Sequence, residues 1–144
     1  METEPTKHLI LVVEDDPDIS RIISVSLERQ GYAVALAFDA ISALKSLGDT
    51  LPTLIITDVM MPGMDGLQLV KMLKEDERTS NIPVLMMSAR TTLSDVLAGE
   101  EAGADLYFKK PFSTTELVRA VKDALANASS AQQVVADDES AGEK

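Results

Sequence analysis

The chain contains no cysteine and a single histidine, His8. The missing thiols exclude a disulfide framework, cysteine-ligated zinc and thiol catalysis. No apolar run approaches the roughly 18 residues a membrane-spanning helix needs. The first residues, METEPTKH, are polar and acidic and lack the basic start and apolar stretch of a secretion signal. A soluble cytoplasmic protein is expected. Basic residues are scarce: 13 Lys and Arg face 24 Asp and Glu, for a net charge of −11. An anionic surface repels phosphate backbones, so direct nucleic-acid binding by this domain is not expected. Most of the acidic excess reads as solubility.

What is present is a globular composition. The 144 residues, 45% of them apolar, suffice for one domain with a sizeable core. Short aliphatic runs alternate with amphipathic stretches. HLILVV (8–13), YAVALAF (32–38), TLIITD (53–58), IPVLMMSA (82–89) and ADLYFKK (104–110) read as strands. Between and after them lie five helical patterns. Asp16 is placed to cap the first and Pro17 to begin it, with Ile19, Ile22, Ile23 and Leu27 on one face and Gly31 as its stop. Leu69, Val70 and Leu73 point inward in the third. Gly99 lies inside the fourth, either weakening a mobile helix or simply tolerated there. Ser113 and Glu116 fit a capping box at the start of the fifth, whose Leu117, Val118, Val121 and Leu125 repeat at helical spacing. Five strand–helix pairs with continuously apolar strands imply a parallel sheet covered on both faces. Residues 1–7 are expected to form a disordered extension, 8–127 the domain, and 128–144 a disordered acidic tail.

Ligands of an open parallel sheet gather at the carboxyl ends of its strands. Those ends carry Glu14, Asp15 and Asp16 after the first strand, Asp58 after the third, Ser88 after the fourth, and Lys109, Lys110 and Pro111 after the fifth. Converging carboxylates repel one another, and a hard divalent cation such as Mg²⁺ is the natural remedy. A lysine and a hydroxyl beside that metal complete a phosphate-binding set, and a carboxylate can itself accept a phosphoryl group. Each residue also has a bland reading. Asp15 or Asp16 could cap a helix, Asp58 or Ser88 a turn, and either lysine could be an ordinary solvated one. Their combination in this order is what points to metal-assisted phosphoryl transfer.

The set VVEDD, IITDVMMPGMDG, VLMMSA, GAD and YFKKPF resembles the receiver domains of two-component response regulators, over about residues 9–125. The resemblance implies a flavodoxin-like, doubly wound (βα)5 three-layer sandwich with parallel sheet order 2-1-3-4-5. It implies Asp58 as phosphoacceptor, with Ser88 and Lys110 assisting. Mg²⁺ would be held by Glu14, Asp15, Asp58 and the backbone carbonyl of Met60, with Asp15 the direct ligand of the acidic pair. Ser88 and Tyr107 match the switch residues, and the bond before Pro111 is usually cis in the family. The implied phosphodonor is a histidine kinase or a phosphotransfer protein, since His8 precedes the first strand. The implied output is a face made by helix 4, strand 5 and helix 5, contacting a protein target as a monomer or a phosphorylation-dependent dimer. Met60 is apolar where some members carry a polar side chain that orients water, which suggests unremarkable or slow self-dephosphorylation. No enzymatic activity toward other substrates is expected. A related phosphatase would need a second acid two places after its nucleophile, where this chain has Met60. A stand-alone regulator is expected; the alternative is the receiver segment of a larger DNA-binding or enzymatic regulator.

Overall fold

In the computed structural model, residues 8–61, 63–89, 92–110 and 112–134 are described, with side chains described as far as Asn127. The strands are β1 (Leu9–Val13), β2 (Ala33–Ala37), β3 (Leu54–Asp58), β4 (Val84–Ser88) and β5 (Leu106–Lys109). The helices are α1 (Pro17–Glu28), α2 (Ala40–Ser46), α3 (Gly66–Glu75), α4 (Leu93–Ala102) and α5 (Thr114–Val134). All strands pair in parallel in the order β2-β1-β3-β4-β5. This is the flavodoxin-like layout the resemblance implies.

Alternation along each strand splits the core in two. Leu11, Val13, Ile55, Val84 and Met86 face α2, α3 and α4 and pack with Ala40, Ala43, Leu69, Val70 and Leu73. Ile10, Val12, Leu54, Ile56, Leu85 and Met87 face the other way and pack with Ile23 and Leu27 of α1 and Leu117, Val121 and Leu125 of α5. Burial of each such aliphatic side chain stabilises the fold by about 1.5–3 kcal/mol. β3 and β4 are buried throughout because both their faces and both their edges are covered.

The helix starts follow local chemistry. Asp16 Oδ1 accepts from the backbone N–H of Asp18 at 2.8 Å and of Ile19 at 3.3 Å. Ser113 and Glu116 exchange reciprocal bonds of 3.0 and 3.3 Å, so the expected capping box forms. A second one, between Thr92 and Asp95, opens α4. Gly31 ends α1 in the left-handed region at φ +94.

Two expectations are corrected. Ile22 is 53% exposed. The buried stripe of α1 runs through Ser20, Ile23 and Leu27, and Ile22 lies about 100° around the helix from Ile23. The fifth helix continues to Val134, past the point at 128 where a disordered tail is expected. Residues 1–7 and 135–144 lie outside the described residues. Among the described residues, no helix is long and apolar enough to cross a membrane.

Candidate functional site

The parallel arrangement brings the ends of β1, β3, β4 and β5 to one edge. Glu14 follows β1 directly, and its N–H donates to Ala37 O of β2 at 3.0 Å. Its side chain is only 1% exposed and Asp58 only 5%. Asp15 is exposed. One carboxylate oxygen from each of Glu14, Asp15 and Asp58 lies within 4.8 Å of the others.

Lys110 stands between two of these acids. Its Nζ donates to Glu14 Oε1 and to Asp58 Oδ2, each at 3.0 Å. Its backbone N–H donates to Ser88 O at 2.9 Å, which ties the end of β5 to the end of β4. Burial pushes the Glu14 carboxyl above its usual range, aided by the nearby Asp58 charge and opposed by bonds from the Asp16 N–H and Lys110. Burial by itself pulls the Lys110 ammonium down. The bonds and charges of Asp58 and Glu14 outweigh it, and the net shift is upward.

The loop after β3 shapes the rest of the site. The Met60 N–H lies 3.4 Å from Asp58 Oδ1, and its side chain is 54% exposed. Gly63 takes a left-handed turn at φ +77. Gly66 donates to Val59 O at 2.9 Å, and its Cα lies flush against the Asp58 carbonyl and Val59. A β-carbon at residue 66 would overlap that carbonyl, so the return of the chain over the phosphoacceptor candidate requires glycine there. The sequence hints at this only as the Asp65–Gly66 helix start.

Ser88 is 1% exposed at the end of β4. In register, Asp58 pairs with Met87 and Met86 with Tyr107. Tyr107 is half-buried and packs against the core beside Met86. Pro111 lies outside the described residues, as do Pro62 and Thr91. Lys109 is exposed and takes no part in the acid–lysine cluster. Asp16 serves as cap rather than ligand, as its bonds show. His8 sits at the opposite, amino end of β1, where Nδ1 meets Thr53 Oγ1 at 3.2 Å.

A hard cation fits this donor set. Three carboxylate oxygens converge, two of the three acids are buried, and the one cationic partner supplied by the described residues reaches only Glu14 and Asp58. Asp15 is the exposed member of this acid cluster.

Fold and site together define an α/β domain with a cation-ready acidic crevice, bridged by lysine, at the carboxyl edge of its sheet. Residues 10–122 match the response regulator receiver domain, and the chain belongs to that family. It is 41% identical over 113 residues to the DNA-binding dual master transcriptional regulator RpaA of Synechocystis, covering 78% of this chain and 47% of RpaA. The chain spans about half the length of the curated relatives it matches. Among solved structures it resembles the chemotaxis response regulator CheY4 of Vibrio cholerae, at TM-score 0.79 and 29% identity, over 83% of this chain and 99% of that one. It also resembles the receiver domain of a sensor histidine kinase from Pseudomonas aeruginosa, at TM-score 0.77 and 28% identity, over 84% and 99% of the two chains. That structure holds a magnesium ion in its active-site cleft. The expectation of no nucleic-acid contact is not supported, because relatives such as RpaA are DNA-binding regulators.

Proposed function

We propose that the domain is a phosphorylation switch whose acceptor is Asp58. The observation that carries this is the position of Lys110 Nζ, 3.0 Å from both Asp58 and Glu14 within the acidic crevice. The donor is a phosphohistidine on a kinase or phosphotransfer protein, or a small phosphoramidate or acyl phosphate. An Asp58 oxygen attacks phosphorus as the bond from phosphorus to the donor breaks. This is a P–N bond, with the imidazole or amine leaving on uptake of a proton from water, or a P–O bond, with a carboxylate leaving. Mg²⁺, held by Glu14, Asp15, Asp58 and the Met60 carbonyl, would supply charge neutralisation for the transferred group. Lys110 swings from Asp58 to pair with the phosphoryl oxygens, and the Ser88 hydroxyl donates to them. Glu14 keeps the lysine within reach.

Phosphorylation adds about −1.5 to −2 charges and strong acceptor oxygens. The gain biases a two-state equilibrium in which Ser88 moves inward and Tyr107 turns with it. Leu93, Leu97 and Leu106 are exposed apolar side chains on α4 and β5, which supports a protein-docking face there. The domain acts on itself and turns over no other substrate; Met60 stands where a related phosphatase would need its second acid.

Incubation with Mg²⁺ and acetyl phosphate should add one phosphoryl mass, and Asp58→Asn should abolish it. Equal labelling of the variant sinks the assignment. The expected stand-alone role has a rival: this is the receiver segment of a longer transcription regulator, which the half-length match to RpaA favours. The mass of the protein expressed from its own gene separates the two.

A further inference from the structure

α4 meets the sheet through small side chains. Its buried residues are Gly99 and Ala102, both small, while Leu93 and Leu97 face solvent. Gly99 is also where the helix meets Tyr107. A β-carbon at residue 99 would stand 2.7 Å from Tyr107 Cδ2, 3.1 Å from Cε2 and 3.5 Å from Met86 Sδ. Carbon atoms pack best at about 3.5–4.0 Å, so the tyrosine ring occupies the volume a side chain would need. The near atoms belong to a ring that turns about its own side-chain bonds, not to backbone. An added methyl therefore displaces the ring before it displaces the helix.

We propose that Gly99 is the seat of the Tyr107 ring: its missing side chain lets the ring lie against α4, and residue size at 99 sets where the ring rests. Gly99 is thereby a positioning residue that couples β5 to α4. The functional consequence rests on reading Tyr107 as a switch; the steric relationship does not. With the ring against Gly99, a turn of Tyr107 removes a contact between β5 and α4. Any side chain at 99 drives the ring outward and leaves α4 without that contact whether or not Asp58 is phosphorylated.

The test is a double-mutant cycle on the full chain. Alanine is the better helix former, so a merely tolerated glycine predicts that Gly99→Ala raises Tm by about 4 °C. The seat predicts no rise, or a fall, in the otherwise native chain, and the full rise only when Tyr107→Ala has emptied the seat. Equal rises in both backgrounds overturn the proposal. A second readout does not depend on stability. The chain has no tryptophan and two tyrosines, so Tyr32→Phe leaves Tyr107 as the reporter of intrinsic fluorescence. Gly99→Ala should make that emission more quenchable by acrylamide; unchanged quenching overturns the proposal. Labelling with Mg²⁺ and acetyl phosphate keeps the two readings apart. If Asp58 takes no phosphoryl group, the switch reading fails while the cycle still decides the seat. If Asp58 is labelled and the Tyr107 emission responds identically with glycine or alanine at 99, the coupling fails.

Discussion

The Lys110 ammonium lies 3.0 Å from Asp58 Oδ2, joining the carboxyl end of an edge strand to that of the central one. Both partners are largely buried, so the pair cannot be treated like a surface ion pair. Removing the lysine leaves two buried carboxylates, Glu14 and Asp58, facing each other. Lys110→Ala should therefore cost about 2–3 kcal/mol of stability without divalent cation. Millimolar Mg²⁺ should return much of it. Urea unfolding with and without Mg²⁺ measures both, and a variant as stable as the native chain in EDTA contradicts the account.

Glu14 and Lys110 both lose their contribution to stability as pH rises, in two separate ranges. The folded-state pKa of Glu14 is raised above its ordinary 4.5, chiefly by burial. Its contribution to stability is fully present below that ordinary value and is lost as pH rises through the raised one. The Lys110 pKa is raised above 10.5 despite burial, by its two acids. Its contribution is present below 10.5 and is lost as pH climbs through the folded value. The stability difference between native and Glu14→Gln chains, measured in EDTA across the acid range, should thus shift in favour of the glutamine variant as pH rises from below 4.5. A flat difference would show that Glu14 is not perturbed.

If Asp58 is the phosphoacceptor, as proposed, Met60 is expected to be the lever on signal lifetime. Its thioether is exposed beside the phosphoacceptor candidate and offers attacking water no strong acceptor. Met60→Glu should shorten the half-life of the phosphorylated form several-fold while leaving labelling by acetyl phosphate intact. Following loss of the phosphoryl mass with time in both chains checks this; equal half-lives remove Met60 from the account.

Gly66 tests the loop. With its Cα against the Asp58 carbonyl, Gly66→Ala has to push the loop off β3. A loss of about 2 kcal/mol is expected, and, if the Met60 carbonyl belongs to the Mg²⁺ site as proposed, weaker Mg²⁺ binding with it. Calorimetric titration with Mg²⁺ reads the second effect. Gly48→Ala, where the nearest neighbour is the Lys45 carbonyl at 3.3 Å, provides a milder control.

Most of the architecture was legible because it is local. Short, continuous aliphatic runs placed the strands, and Asp16 and Ser113 announced their helices by bonds made within three residues. The acids and Lys110 were legible because strand ends in a parallel sheet all meet at one edge. What stayed hidden depends on partners remote in sequence or on small angles. Nothing in the sequence says that Gly66 abuts Asp58 or that Gly99 abuts Tyr107. Ile22 was placed inward because three isoleucines and a leucine share a broad face, while burial took only the stripe through Ile23 and Leu27. The last turns of α5 were read as tail because polar composition conceals helical potential where no core residue marks the period. Lys74 is another case: its Nζ donates to Ile82 O at 2.8 Å and pairs with Asp105 at 3.4 Å, a clasp between α3 and the start of β4 that no spacing suggests.

Strand order also has a kinetic side. Asp58 ends the innermost strand, hydrogen-bonded along both flanks, whereas Tyr107 lies on a strand with one neighbour only. Amide hydrogens of 55–57 should therefore exchange with solvent near the rate of global unfolding, and those of 106–109 through far shallower openings. The chemistry would then be anchored where the molecule is stiffest, and its message delivered where the molecule yields first.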